Sequence, residues 1–493
     1  MRMFSIFSIG FVGMMILQPL PRQELFAQDD YQEWLKQQQS ELKQFIEEDD
    51  KAFVNFLENE WRQINVESGL VPDKAPKPVK LPRVEALAPK ATPTSMGKPI
   101  DNIQLPPDVP LRRPDLTGLP KIDLRKGNNV AFDYFGIPVS MAIDEGFWKP
   151  FRYKMNNKGI SKRWKEFSKL DYKKMISKVK YIKDELRLND WGYGLLLQEI
   201  AEYVYPNSQL DQNLFLWFVF TKSGYATKVG YNDDGVYLLT PSSNTLFSVR
   251  FFEMDDATYY LMNFSGKIPD VRSIYTYQGD YHGANVLFDL RIKSLPLLAE
   301  KSETRELRFN YSGEQYLVTA QYNENLVAFF MNYPQTDLEV YFETPMSPLA
   351  SRSLTVGLKP IIDGKSEIEA VNILLRFVQL SLEYKNDAGQ FGREKYLFAD
   401  ETLFYPFSDC EDRSILFAYL VRNLLGLEVV GLSYPGHIAT AVHFSSDVAG
   451  EVVVYNNKKF VICDPTYINA SIGMEMPIVQ DSEPEVIKLA SMK

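Results

Sequence analysis

Residues 408–426 read SDCEDRSILFAYLVRNLLG. The polar run Ser408–Ser414 ends a loop and opens an apolar helix, Ile415–Leu425, which Gly426 closes. Cys410 therefore stands at a helix N-terminus, where unpaired N–H groups and a partial positive charge collect. A thiol placed there has its thiolate stabilised, and the same N–H groups can receive the negative oxygen of a tetrahedral intermediate.

Two later segments supply what a thiol nucleophile needs, a base and a carboxylate to orient it. PGHIATAVHF, residues 435–444, reads as a strand entered through a Pro-Gly turn, with His437 at its start. KKFVICDPTY, residues 458–467, reads as a strand that ends in Asp464, where Pro465 stops it. His443 competes with His437 for the role of base, because both point to the same strand face. The extra β-like run Glu451–Tyr455 decides between them. If it folds back on the first strand, a meander brings Asp464 to His443. If it continues that strand past a loop at 445–450, the turn at Asn456–Asn457 returns Asp464 to His437, which is the expectation. The two histidines are six residues apart, roughly 20 Å of strand, and cannot share one metal ion. No metal and no cofactor is expected. His282 lies in a turn-like DYHGA stretch and has no expected role.

A Cys on a helix start after an acidic residue, a strand opening with His, and a strand ending in Asp-Pro-Thr together resemble the transglutaminase-like superfamily. The resemblance covers roughly residues 366–480. It implies a papain-like α/β core with Cys410 as nucleophile, His437 as general base and acid, and Asp464 as the orienting group. That family includes peptidases, amidases and protein cross-linkers, so a protein or peptide substrate is implied. The chain departs from the family pattern at Ala439, where an aromatic residue is common, and by an insertion near Ser445–Gly450.

The same pattern echoes upstream. LFLWFVFTKSG, Leu214–Gly224, matches LFAYLVRNLLG, Leu416–Gly426, at a constant offset that puts Ser208 at the place of Cys410 and Gly235 at that of His437. Residues 128–265 are thus expected to form an α/β unit, a degenerate copy without the chemistry. Alternating runs at Leu307–Tyr311, Gln315–Tyr322 and Leu338–Phe342 suggest an antiparallel β domain over 266–365. The expected fold is α+β and multidomain.

At the N-terminus, Arg2 and the apolar run Phe4–Leu17 read as an export signal with cleavage near Ala27, too short to span a bilayer. An extracytoplasmic location, periplasmic or secreted, follows, with no membrane span in the mature chain. Tyr31, Leu42, Phe53 and Ile64, with Trp34, Phe45 and Phe56 and with Leu35, Ile46 and Leu57, recur every eleven residues and form one straight helical stripe over 29–66. A homo-oligomer through that helix is one expectation, since a proline-rich spacer over 67–127 separates it from the rest. A formal net charge of -10 argues against a nucleic-acid partner. The chain has only Cys410 and Cys463. The alternation of strand faces sets Cys463 away from Asp464, so the two thiols are expected to stay unbridged. The competing function class is a non-catalytic binding or assembly module.

Overall fold

The structure is a computed structural model that describes residues 22–59, 61–71, 129–266 and 270–489. The run Phe4–Leu17 and residues 72–127 of the proline-rich stretch lie outside them. Among the described residues no helix is long and apolar enough to cross a membrane.

The described residues begin with α1 (Arg22–Leu57), which runs unbroken through the expected cleavage point at Ala27. The helix ends about two turns before the last residue of the apolar stripe. The Trp61 indole donates to the carbonyl of Leu57 at 2.6 Å, and the chain enters β1 (Trp61–Asn65), so Ile64 is a strand residue rather than part of the helix. Phe53, Val54 and Leu57 are buried against the body. Asp50 is buried with them, accepting from the Trp164 indole at 3.0 Å and pairing with Lys222 at 2.5 Å. The expected spacer therefore does not free this helix. Residues 61–65 belong to a sheet, and Glu67 and Leu70 add isolated bridges to Phe251 and Phe247.

A hairpin of β2 (Asn129–Tyr134) and β3 (Ile137–Ala142) leads into α2 (Asn157–Phe167), α3 (Tyr172–Glu185), α4 (Asp190–Val204) and α5 (Gln209–Lys222). Every residue from Leu214 to Phe220 in α5 is buried, which is why that stretch reads as apolar on all sides. The strands β4 (Lys228–Tyr231), β5 (Val236–Pro241), β6 (Phe251–Met254), β7 (Ala257–Met262) and β8 (Ser273–Tyr277) follow, and the sheet order is β1-β8-β4-β5-β7-β6.

Among the described residues, one hairpin represents the β domain expected over 266–365. It consists of β9 (Ser302–Tyr311) and β10 (Glu314–Asn323). Leu338–Phe342 is not a strand but lies in a short helix. After α6 (Glu324–Met331) the chain forms α7 (Leu338–Glu343), in which Val340, Tyr341 and Phe342 are all buried. Three consecutive buried residues do not fit a strand with one solvated face, and the alternation in the sequence was coincidental.

The last unit contains α8 (Pro348–Ile362), α9 (Glu367–Ser381), β11 (Glu383–Tyr384), α10 (Asp387–Gln390), α11 (Ala399–Phe404), β12 (Phe407–Ser408) and α12 (Cys410–Leu420). A π turn, Val421–Leu425, ends at Gly426 with φ +66°, a left-handed closure that suits glycine. The strands β13 (Glu428–Tyr434), β14 (His437–His443), β15 (Val452–Tyr455), β16 (Lys458–Cys463) and β17 (Glu485–Ile487) form a sheet of order β15-β16-β14-β13-β17.

The two sheets share one topology. In chain order, β4–β8 occupy the places of β13–β17, every pairing is antiparallel, and a buried helix, α5 or α12, precedes each set. The third and fourth strands of each set are joined by a two-residue turn with both residues at positive φ, Asp255–Asp256 in one and Asn456–Asn457 in the other. One hydrophobic cluster runs through both units, from Phe53 to Leu489. The architecture is α+β and multidomain.

Candidate active site

Cys410 is the first residue of α12, with Asp409 at the N-cap. Asp412 locks this helix start: one carboxylate oxygen accepts the Asp409 N–H at 3.2 Å and the other accepts the Leu397 N–H at 2.8 Å. Arg413 fixes the approach from behind, donating to Ser408 Oγ at 3.1 Å and to the Leu382 carbonyl at 2.6 Å. Ser414 then ties the helix to β14 by donating to the Ile438 carbonyl at 3.2 Å, one residue from His437.

His437 opens β14 and its Nε2 lies 2.7 Å from Asp464 Oδ2. The pairing Thr440↔Cys463 sets that meeting, since it lays the end of β16 beside the beginning of β14. The run 452–455 keeps the direction of β14 but sits one strand farther out, so β16 fits between them and returns Asp464 to His437. His443 is at the opposite end, where its Nδ1 lies 2.8 Å from the Lys459 carbonyl. The other oxygen of Asp464 accepts the N–H groups of Thr466 and Tyr467 at 2.8 and 3.1 Å, which holds the carboxylate in one orientation.

The carboxylate takes Nε2 of the imidazole and leaves Nδ1, and Cys410 is near enough for its charge to act on the same ring. Burial pushes the His437 imidazolium down. The charge and hydrogen bond of Asp464, helped by Cys410, outweigh burial and raise it well above the ordinary histidine value. An imidazolium beside a thiol on a helix N-terminus is the arrangement that favours thiolate. Both cysteines are free. Cys463 differs from Cys410 in that burial, and then the Asp464 charge, push its thiol up.

Gln379, in α9, was not singled out from the sequence. Its side-chain amide donates to the carbonyls of Asp464, Tyr467 and Ala470 at 3.1, 2.8 and 3.1 Å, and its oxygen accepts the Asn469 N–H at 3.2 Å. One buried glutamine thus gathers the loop that carries Asp464. No spacing rule reveals such a residue, since it acts on a segment far along the chain.

Acidic side chains crowd the helix start. Asp387, Asp409 and Asp412 offer carboxylate oxygens within 4.8 Å of one another, the one such group among the described residues. Burial, and then the charge of Asp412, push Asp387 up to about 9. Burial raises Asp412 to about 7 against the pull of the Leu397 N–H, and raises Glu394 to about 7 with help from Glu411. Acids raised in the folded state are neutral there but ionised when unfolded. Their contribution to stability is therefore full below about pH 4 and is lost as pH rises through about 7 and then about 9. Asp387→Asn should flatten the upper part of this loss. At pH 9 its melting temperature should exceed that of the wild type by at least ~2–4 °C, while at pH 4 the two should converge. Thermal melts at both pH values check this.

The middle unit carries other residues at the corresponding places. Ser208 caps α5, accepting the Asp211 N–H at 3.2 Å and donating to Asp211 Oδ2 at 2.7 Å. Gly235 closes the β4–β5 turn, its carbonyl accepting the Asn232 N–H at 3.0 Å. Asn263 follows β7 as Asp464 follows β16, and it accepts the Ser265 N–H at 2.9 Å as Asp464 accepts that of Thr466. Serine, glycine and asparagine stand where cysteine, histidine and aspartate stand in the last unit.

No family model, curated protein or solved structure matches the chain.

Proposed function

We propose that this chain is a transglutaminase-like cysteine enzyme that cleaves amide or isopeptide bonds of a protein or peptide through a thioester acyl-enzyme. The observation that carries the reading is the buried His437–Asp464 pair, in which Asp464 orients the imidazole at 2.7 Å, beside a thiol on a helix N-terminus that helps raise that imidazole. In this reading the thiolate attacks the carbonyl carbon, forming a C–S bond, and the oxygen takes the displaced electron pair. The N–H groups at the start of α12 receive that oxyanion. The C–N bond breaks as the His437 imidazolium gives its proton to the leaving nitrogen. Water, deprotonated by the same imidazole, then attacks the thioester and releases the acid and the thiol. Hydrolysis is favoured over cross-linking, because water is the default acceptor unless a site excludes it.

In the same reading the middle unit is a degenerate transglutaminase-like copy, supported by the shared strand order and by Ser208, Gly235 and Asn263 at the three key places. The apolar run Phe4–Leu17 supports an extracytoplasmic location. One observation favours the alternative, a binding or assembly module: Cys410 is only 3% exposed. Profiling a library of peptide amides and isopeptides with wild type beside Cys410→Ala separates the two. Cleavage by wild type alone supports the enzyme, and no turnover of any member by either favours the module.

A further inference from the structure

We propose that Tyr384 is a further catalytic residue, whose hydroxyl donates a hydrogen bond to Sγ of Cys410 and stabilises the thiolate. This rests on the acyl-enzyme reading above. The Tyr384 hydroxyl lies 4.0 Å from Sγ, within the range of a hydrogen bond to sulfur. A thiolate has no proton to give, so in the reactive form the phenol is the donor.

The fold holds this tyrosine by three separate contacts. β11 and β12 are parallel, with Tyr384 opposite Ser408, two residues before the nucleophile. The next N–H, that of Lys385, donates to the Ser408 carbonyl at 3.3 Å. The Arg413 guanidinium lies over the tyrosine ring at 5.4 Å, and the same side chain bonds Leu382, the residue before β11, and Ser408 in β12. Arg413 is on α12 one turn after Cys410, so one residue fixes the tyrosine relative to the helix that carries the thiol. Burial first, and then the charge of Cys410, push the Tyr384 hydroxyl above the ordinary phenol range. It therefore keeps its proton throughout the neutral range and remains a donor. A tyrosine that served only as packing would need none of this aim at the sulfur.

The test follows the alkylation of Cys410 by iodoacetamide from pH 5 to 9, in wild type, in Tyr384→Phe and in protein carrying 3-fluorotyrosine at position 384. A lost hydrogen bond to a charged atom predicts a slowing of about 10–100-fold at neutral pH for Tyr384→Phe, with the profile displaced to higher pH. The fluorinated phenol is a stronger donor with nearly the same packing, and should displace the profile the other way. Melting temperatures for all three identify any loss of fold. Reactive wild type with superimposable profiles for both variants would overturn the inference and leave the acyl-enzyme reading standing. A wild-type thiol inert at every pH would overturn both.

Discussion

Exchange of His437 for alanine should lower the rate at which Cys410 is alkylated at neutral pH by about 10²–10⁴-fold, the range that a positioned acid–base group supplies. His443→Ala should leave the rate within about twofold of wild type. The contrast follows from strand register. With Thr440 opposite Cys463, Asp464 falls beside the start of β14 and 2.7 Å from His437 Nε2. At the far end of β14, half-buried His443 meets the Lys459 carbonyl and the Phe460 ring. Removing it costs a surface hydrogen bond. Removing His437 takes away the cation that faces the thiol and leaves the Asp464 carboxylate, 1% exposed, without its imidazole partner. The measurement is the second-order alkylation rate of each variant. A slow His443→Ala beside an unchanged His437→Ala would reverse the assignment.

The largest loss of stability is expected at the corresponding place in the middle unit. There Asp211 pairs with Arg163 at 2.7 Å, with side chains 4% and 2% exposed. Asp211 also accepts the Phe151 N–H at 2.7 Å and a hydrogen bond from Ser208. Asp211→Ala leaves the Arg163 guanidinium buried beside an empty place, and breaking a buried pair from one side costs about 3–5 kcal/mol. Ser208→Ala removes only a helix cap and should cost about 0.5–2 kcal/mol. Urea denaturation of both variants measures the difference. Equal, small losses would show that the ion pair contributes no more than an ordinary cap. The pair occupies a helix start that in the last unit carries Cys410.

Much of the site could be read from the sequence because its three groups lie at element boundaries that leave local marks. Cys410 follows a polar loop and precedes an apolar run, His437 follows Pro-Gly, and Asp464 precedes proline. The groups that hold them leave no such mark. Gln379 and Arg413 look like ordinary polar residues of buried helices, and Ser414 matters only because β14 passes beside it. Tyr384 is 26 residues before Cys410, and only the two short parallel strands bring it to the sulfur. Periodicity misled in two places. Ile64 continues the eleven-residue phase of α1, yet the chain has already turned into a strand. Leu338–Phe342 alternates like a strand, yet it is one turn and a half of helix surrounded by other residues. The shared topology of the two sheets was barely legible. Only the helix α5 resembles its counterpart in sequence, and the strands agree in order and register rather than in residues.

The most direct measurement is mass spectrometry of the protein quenched in acid during reaction with p-nitrophenyl acetate, followed by peptide mapping. The account predicts one acyl group on the peptide that contains Cys410, removed by hydroxylamine as a thioester is, and strongly reduced in His437→Ala. No acyl group on Cys410, or the same amount of it in His437→Ala as in wild type, would contradict the claim that these residues form a nucleophilic centre.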